Sequence, residues 1–193
     1  MARLFIAVDA PPEIAARLVK SVPTASGIRA APTGQVHLTL RFLGECDAEQ
    51  TERIRAALDA VRAADFTLNV AGVGRFRGRQ GSVLWAGMAP CPELDALYVA
   101  ITAALQSVGI APEPRRFRPH LTLARCRPTA PEVLQREWLA NHRDMAVPPW
   151  HARRFVLYES RLERQGATHA EIGSWPLMAP DTPPATASVP VSA

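Results

Sequence analysis

A chain of 193 residues with 48% hydrophobic and 21% charged residues has the composition of a globular protein, not of a disordered or membrane-spanning one. Its net charge of +4 comes from arginine, since Lys20 is the only lysine, and a guanidinium group suits bidentate contact with phosphate. The three cysteines form no CxxC pair, which excludes the common zinc and disulfide frameworks and predicts free thiols in the cytoplasm.

The first part of the chain predicts a strand, a helix and a second strand. Residues 4–8 form an apolar run typical of a buried strand. Pro11 and Pro12 open a short helix, because proline is tolerated in the first turn. A loop rich in Pro, Thr and Gly follows over residues 23–34, and the second strand runs from about residue 36 to 43.

A helix and a hairpin follow. Asp47 is a suitable N-cap for a helix over residues 48–63. Residues 66–73 and 83–88 read as the two strands of a hairpin. The connection over residues 74–81 is rich in Gly and Arg, so it is interpreted either as an RNA-contacting loop or as a solvated flexible turn.

The second half repeats this order of elements. It predicts a helix over residues 92–108, a strand over 120–125, a helix over 131–141, and strands near 151–160 and 169–175. We expect one domain over residues 1–177. Apart from Met178 and Asp181, the residues from 178 to 193 are Pro, Ala, Thr, Ser and Val, and we expect a disordered tail.

The tetrapeptide His-Leu-Thr-Leu occurs twice, once starting at His37 and again at His120, 83 residues later. Alternate side chains of a strand point to the same face, so each copy presents one imidazole and one hydroxyl opposite two leucines. Histidine exchanges protons near neutral pH, and threonine donates hydrogen bonds to phosphate oxygens. Two such strands side by side predict a phosphoester site.

The repeated order of elements predicts the fold class. We expect an α+β protein made of two similar, pseudo-symmetric lobes. Each lobe is expected to be a mainly antiparallel sheet with helices outside, and the active site is expected in the cleft between the lobes.

These residues carry a family resemblance that spans about residues 3–177. The chain resembles the two-histidine (2H) phosphoesterases, and most of all the bacterial and archaeal RNA 2′,3′-cyclic phosphodiesterases, once described as 2′-5′ RNA ligases. The two His-x-Thr motifs are typical of the superfamily, and the sequences around them indicate this subfamily. The matching stretches are residues 3–8, 37–45, 72–76, 83–87, 118–125 and 157–160.

The resemblance implies metal-free hydrolysis of RNA 2′,3′-cyclic phosphate ends to 2′-phosphates, without a cofactor, by a protein that is typically a monomer. It assigns His120 as the proton acceptor and His37 as the proton donor. These roles exchange in the reverse, ligating direction. Thr39 and Thr122 are expected to donate hydrogen bonds to the non-bridging phosphate oxygens, the alternative being that they simply favour strands.

The resemblance also implies that Phe42 stacks on the nucleobase and that Arg125 contacts the phosphate end of the substrate. Core packing is an equal alternative for Phe42, and Arg125 reaches the phosphate only if its strand bends. Arg41 is expected on the leucine face as a surface residue. Near the C-terminus the family usually has an aromatic residue, commonly tyrosine, in the region where this chain has Thr168, His169 and Ala170, which puts a substrate-holding role of that edge in doubt.

A metal site is not expected, while a second and a third reading of the function stay open beside the hydrolysis of RNA ends. His142, His151 and His169 lack the spacing of a metal site. The same chemistry suits 2′-5′-linked oligonucleotides or a small cyclic nucleotide. A non-catalytic binder of RNA ends is the third reading, and the two intact pairs of histidine and threonine argue against it.

Overall fold

The computed structural model describes residues 1–163 and 166–179. Within these ranges the helices are α1 (Pro12–Lys20), α2 (Ala48–Asp59), α3 (Pro92–Ser107) and α4 (Glu132–Asn141), with one short 3-10 helix at Thr33–Gln35. The strands are β1 (Ala2–Asp9), β2 (Ile28–Ala30), β3 (His37–Cys46), β4 (Phe66–Leu68), β5 (Val70–Gly78), β6 (Gly81–Met88), β7 (His120–Cys126), β8 (Trp150–Ala152), β9 (Arg154–Glu163) and β10 (Gly166–Pro176).

Most of the strands form one antiparallel sheet in the order β10-β9-β1-β3-β7-β6-β5, and β2 pairs with β7 beside β3. Strands β4 and β8 form a separate two-stranded sheet. The two sides of the large sheet meet where β3 and β7 run antiparallel, and the pairing there consists of one residue pair, Leu38 with Leu121. The α+β class with mainly antiparallel strands is confirmed.

Each side of the sheet draws strands from both halves of the chain. The first motif strand, β3, continues through β1 to β9 and β10, which come from the end of the chain. The second motif strand, β7, continues to β6 and β5, which come from the middle. The repeated order of elements therefore does not correspond to two consecutive lobes, because each hairpin lies beside the motif strand of the other half.

The helices cover the face of the sheet that carries the leucines of the motifs. Helix α1 buries Ile14, Ala15 and Leu18 and packs against β7, while α4 packs against β5. Helix α2 packs against α3 and β10. Leu38 and Leu121 are both fully buried in the core between the sheet and the helices. None of the described helices combines the length and the apolar character that crossing a membrane requires.

Two expected boundaries were wrong. Helix α2 begins as predicted, with the Asp47 carboxylate accepting the N–H of Gln50 at 2.7 Å, but it ends at Asp59 and not at residue 63. The N–H of Ala60 bonds three residues back to the Ala57 carbonyl, which tightens and closes the helix. Strand β2 lies inside the segment that was expected to be a loop.

The Gly- and Arg-rich connection was also interpreted wrongly, because most of it is strand. Strand β5 extends to Gly78, and β6 begins at Gly81. Arg75 makes a bidentate ion pair with Glu132 of α4 at 2.9 Å, and Arg77 contacts the same carboxylate at 2.8 Å. These two arginines therefore attach α4 to the sheet, and only residues 79 and 80 form the turn.

The proposed start of the tail lies at the edge of the described residues. The N–H of Met178 bonds to the Ala63 carbonyl at 2.9 Å, and its carbonyl accepts the N–H of Asp65 at 2.8 Å. The rest of the expected tail, from Pro180 onward, lies outside the described residues. The division into one domain and a tail stays a prediction.

The Leu38–Leu121 contact generates a stability prediction. Because both side chains are fully buried, we expect Leu38→Ala and Leu121→Ala each to lower the free energy of unfolding by about 2–5 kcal/mol. The double variant is expected to be non-additive by about 0.5–3 kcal/mol, since the two residues share one contact. Urea unfolding of the four proteins measures both quantities.

Val99→Ala serves as the control, because the Val99 side chain is 64% exposed and its removal leaves no cavity. We expect that variant to unfold within about 0.5 kcal/mol of the parent protein. Additive effects of the two leucine substitutions would contradict a direct coupling across the β3–β7 junction.

Candidate active site

The four residues of the duplicated motif lie on one face of the sheet, at the junction of its two sides. Since Leu38 and Leu121 pair directly and point into the core, the residues before and after each leucine point the other way. His37, Thr39, His120 and Thr122 therefore share the opposite face, and all four are partly exposed. This surface is called the histidine face below. It brings together the residues that the repeated motif predicted.

His120 is held in one tautomer by the backbone. Its Nδ1 lies 2.7 Å from the carbonyl oxygen of Arg118. A carbonyl can only accept a hydrogen bond, so Nδ1 carries the proton in the neutral ring and Nε2 keeps its lone pair. The ring packs edge-on against Phe76 at 5.0 Å between ring centroids, with Trp85 at 6.1 Å.

His37 occupies an equivalent setting on the other side of the junction. It makes a backbone hydrogen bond at Gln35, two residues before it, as His120 does at Arg118. Its ring stacks on Phe5 with centroids 4.8 Å apart, and Phe5 in turn stacks on Tyr158. Each catalytic candidate therefore has a backbone carbonyl on one side and an aromatic surface on the other.

The surroundings of both imidazoles favour the neutral ring in the free protein. Burial lowers the pKa of His37 to about 4, and the neighbouring His169, with smaller contributions from His120 and Arg125, acts in the same direction against the Gln35 hydrogen bond. Burial also lowers the pKa of His120, opposed by its bond to Arg118. The influence of His120 and Arg125 on His37 indicates that residues from both sides of the sheet lie within electrostatic range of His37.

His169 is a residue of this site that the sequence analysis missed. It lies on β10 with its ring centroid 5.3 Å from that of His37 and 4.8 Å from that of Phe5. Burial lowers its pKa, and the positive charge of Arg125 lowers it further. The one sequence signal was that the region 168–170 departs from the aromatic residue that the family resemblance implies there.

A β-bulge in each motif strand decides which later residues reach the histidine face. In β3 the partners change from Ala7–Thr39 to Ile6–Arg41, which leaves Leu40 as the extra residue. In β7 the partners change from Trp85–Thr122 to Leu84–Ala124, which leaves Leu123 as the extra residue.

Each bulge reverses the alternation that a regular strand would keep. Phe42 and Arg125, each five residues after its histidine, are returned by the bulges to the histidine face, and both are exposed. The condition that the strand of Arg125 must bend is therefore met. The two residues occupy equivalent positions on the two sides of the junction.

The bulge also corrects the expectation for Arg41. This residue was expected at the surface, but it is only 5% exposed and its Nη2 donates to the carbonyl of Ala111. Because Arg41 takes the buried position, Phe42 takes the exposed one, with 64% of its surface accessible. The alternative of core packing for Phe42 is therefore wrong.

A hydrogen-bonded group of polar residues borders His37. Asp9, the cross-strand partner of His37, accepts the Tyr158 hydroxyl at 2.8 Å and lies 3.5 Å from Arg154. Burial, followed by the Asp9 carboxylate, raises the pKa of Tyr158. Asp9, Arg154 and Tyr158 also line a cavity of about 480 Å³. No group of three or more His, Cys, Asp or Glu residues in the described part of the chain has the arrangement of a metal site.

The sequence is similar to known proteins over most of its length. The profile of a family described as the 2′-5′ RNA ligase superfamily matches residues 10–163. A protein of Archaeoglobus fulgidus called RNA 2′,3′-cyclic phosphodiesterase is 30% identical over 175 residues, which make up 88% of this chain and 97% of that protein.

Two solved structures share the fold over nearly the whole chain. The Thermus thermophilus protein TT0787 has a TM-score of 0.75 and 27% identity, covering 92% of this chain and 98% of that one. Escherichia coli LigT complexed with 3′-AMP has a TM-score of 0.71 and 25% identity, covering 91% and 98%.

The position of His169 generates a prediction for His37. We expect His169→Phe to raise the pKa of His37 above about 4, because the substitution removes a charge that lowers it and keeps a ring against Phe5. The pKa should stay below 6.5, since burial is the larger cause. NMR titration of the histidine ring protons measures this pKa.

Two controls accompany this titration. His120 is an internal one, because His169 is not among the causes of its lowered pKa. His151→Phe, an exposed imidazole in the β4–β8 sheet, is the matched variant and should leave His37 unchanged. An unaltered His37 titration in His169→Phe would show that the two rings do not interact.

Proposed function

The chain belongs to the 2′-5′ RNA ligase superfamily, and from this membership and the paired histidines we propose that it hydrolyses 2′,3′-cyclic phosphate ends of RNA to 2′-phosphomonoesters. The family resemblance inferred from the two motifs is thereby confirmed. The observation that carries the proposal is the Leu38–Leu121 pair, because it turns two identical motifs 83 residues apart into one group of two imidazoles and two hydroxyls.

We assign His120 as the general base. Because Nδ1–H of His120 donates to the carbonyl of Arg118, the proton stays on Nδ1 and the lone pair of Nε2 is free to take a proton from water. Its lowered pKa keeps this lone pair available at neutral pH. The oxygen of the activated water then forms a bond to phosphorus.

We assign His37 as the general acid, which protonates the ribose 3′ oxygen as its bond to phosphorus breaks. A pKa of about 4 leaves His37 neutral in the free protein, so it must gain its proton when the substrate binds. The cyclic phosphate carries a negative charge, and an anion beside an imidazole favours the charged form. The substrate thus opposes the effect of burial. The expected exchange of roles applies to the reverse displacement, in which the 3′ hydroxyl attacks phosphorus and re-forms the cyclic phosphate. Joining a 2′-5′ linkage keeps the same roles, with a 5′ hydroxyl in the place of water.

Thr39 and Thr122 are proposed to stabilise the charge that develops on the non-bridging oxygens. Each lies two residues after its histidine on the same face, so its hydroxyl points to the same space as the imidazole. Hydroxyl donors that are already oriented act on the transition state without reorganisation.

Arg125 and Phe42 are proposed to hold the two ends of the terminal nucleotide. The charge of Arg125 reaches His37 and His169, which supports a contact with phosphate. Phe42 is exposed and lies 6.2 Å from Phe5 between ring centroids, so one face of its ring is available to a base. Stacking on an aromatic side chain contributes about 1–3 kcal/mol per base.

We further propose that the protein acts as a monomer in the cytoplasm, without metal or cofactor. The thiols of Cys46, Cys91 and Cys126 are all free, which suits a reducing compartment. The proton transfers and the charge stabilisation described above are complete with side chains of this chain alone.

The activity is tested with a short RNA that ends in a 2′,3′-cyclic phosphate, incubated with the protein in EDTA. We expect the 2′-phosphate as product, separated from the 3′-phosphate by chromatography. His37→Ala and His120→Ala are each expected to lower the rate by about 10²–10⁴-fold, because each removes one positioned proton transfer. His142→Ala, whose imidazole Nδ1 bonds to the Trp138 carbonyl of its own helix, is the matched control.

Two outcomes would contradict the proposal. Turnover that survives either active-site substitution would exclude the paired-histidine mechanism. Tight binding of the RNA without turnover by the parent protein would favour a different phosphodiester or a binding function.

The direction of proton transfer is tested separately with a cyclic substrate that carries sulfur in place of the 3′ oxygen. A thiolate leaves without a proton, so this substrate needs no general acid. We expect it to restore most of the rate lost in His37→Ala and little of the rate lost in His120→Ala. Rescue of His120→Ala alone would reverse the two assignments.

A further inference from the structure

A cavity of about 350 Å³ adjoins the histidine face where β2 pairs with β7. It is lined by three arginines and by neutral residues: Gly27, Ile28, Arg29, Gln80, Arg125, Cys126 and Arg127. We call it the arginine pocket. The lining residues include no carboxylate to balance the three positive charges.

The close spacing of these arginines lowers the stability of the sheet through repulsion between like charges unless an anion is present. Arg29 and Arg125 are direct cross-strand partners, so their side chains leave the same face of the sheet side by side. Like charges in directly opposite positions destabilise a sheet.

The three arginines also differ from others on this surface. Arg75, Arg77 and Arg154 each have a carboxylate partner within 2.9 Å. No ion pair among residues 1–163 and 166–179 involves Arg29, Arg125 or Arg127, and all three are exposed. Their guanidinium groups are therefore free to form bidentate contacts with a ligand.

The pocket is continuous with the active site through Arg125. This residue lines the pocket, while its charge lowers the pKa of His37 and His169. Arg127 follows two residues later along the chain, about 6–7 Å further on for an extended backbone. A nucleic acid strand whose terminal phosphate lies at the histidines therefore has a second positive charge, that of Arg127, within reach of its backbone.

We propose that the arginine pocket binds the phosphodiester that precedes the terminal nucleotide, so that the protein selects an RNA strand over a cyclic mononucleotide. This inference rests on the proposed function. A 2′,3′-cyclic mononucleotide carries one phosphate, which the histidines and threonines engage. An oligonucleotide carries a further phosphate on the 5′ side of the terminal ribose, and Arg29 and Arg127 are placed to bind it.

The test compares kcat/KM for a 2′,3′-cyclic mononucleotide with that for a trinucleotide ending in a 2′,3′-cyclic phosphate. We expect the parent protein to prefer the trinucleotide, and Arg29→Ala and Arg127→Ala each to lower the ratio of the two kcat/KM values by roughly 10-fold. Arg53→Ala removes an exposed arginine of α2 outside the pocket and should leave the ratio unchanged.

A neutral methylphosphonate in place of the last phosphodiester of the trinucleotide identifies the contact. The parent protein should lose the same roughly 10-fold preference, and the Arg29→Ala protein should lose little more, because the two changes remove one interaction. If the methylphosphonate lowers kcat/KM equally in the parent protein and in Arg29→Ala, Arg29 contacts another part of the ligand, and the proposal is overturned. An equal kcat/KM for the two substrates in the parent protein would overturn it as well.

A binding measurement separates this inference from the proposed function. The trinucleotide ending in a 2′-phosphate is titrated by fluorescence anisotropy at several salt concentrations. Loss of one arginine contact should reduce the slope of log K against log salt by about 0.7. If neither substrate is hydrolysed, the proposed function fails, while an unchanged slope in Arg29→Ala and Arg127→Ala rejects the arginine pocket as a phosphate site.

Discussion

The antiparallel pair of Leu38 and Leu121 is the contact on which the rest of the site depends. It joins two sides of a sheet that otherwise diverge, and because both leucines point into the core, the flanking histidines and threonines must point away from it. A slip of one residue in this register would bury the imidazoles and expose the leucines. The apolar core therefore fixes the orientation of these four side chains.

The sequence revealed the parts of this arrangement that repeat locally. The alternation within His-Leu-Thr-Leu identified the four residues of the histidine face, and the apolar runs located most of the strands and helices. Beyond Thr39, the bulge at Leu40 places Arg41 in the core and Phe42 on the histidine face, and beyond Thr122 strict alternation would have sent Arg125 away from the site. A bulge depends on the partner strand, so its position is set by pairing and cannot be read from one strand alone.

The residues that sequence analysis missed are those brought in by non-local pairing. His169 belongs to a hairpin at the end of the chain, yet β9 pairs with β1 and places this hairpin beside the first motif. Arg29 lies in a segment that was interpreted as a loop, because three residues with one partly buried side chain give no strand period. Both residues become significant only when the order of the strands is known.

The electrostatics of the site follow from the same architecture. The sheet supplies an aromatic floor, with Phe5 under His37 and Phe76 beside His120, and burial there disfavours a charged imidazole. Arg125 adds positive charge nearby and lowers the pKa of His37 further. A site with neutral imidazoles and a nearby arginine is complementary to an anion, because a negative charge beside His37 would offset the arginine and raise the pKa of His37. Under the proposed mechanism, substrate binding and protonation of His37 are therefore one event.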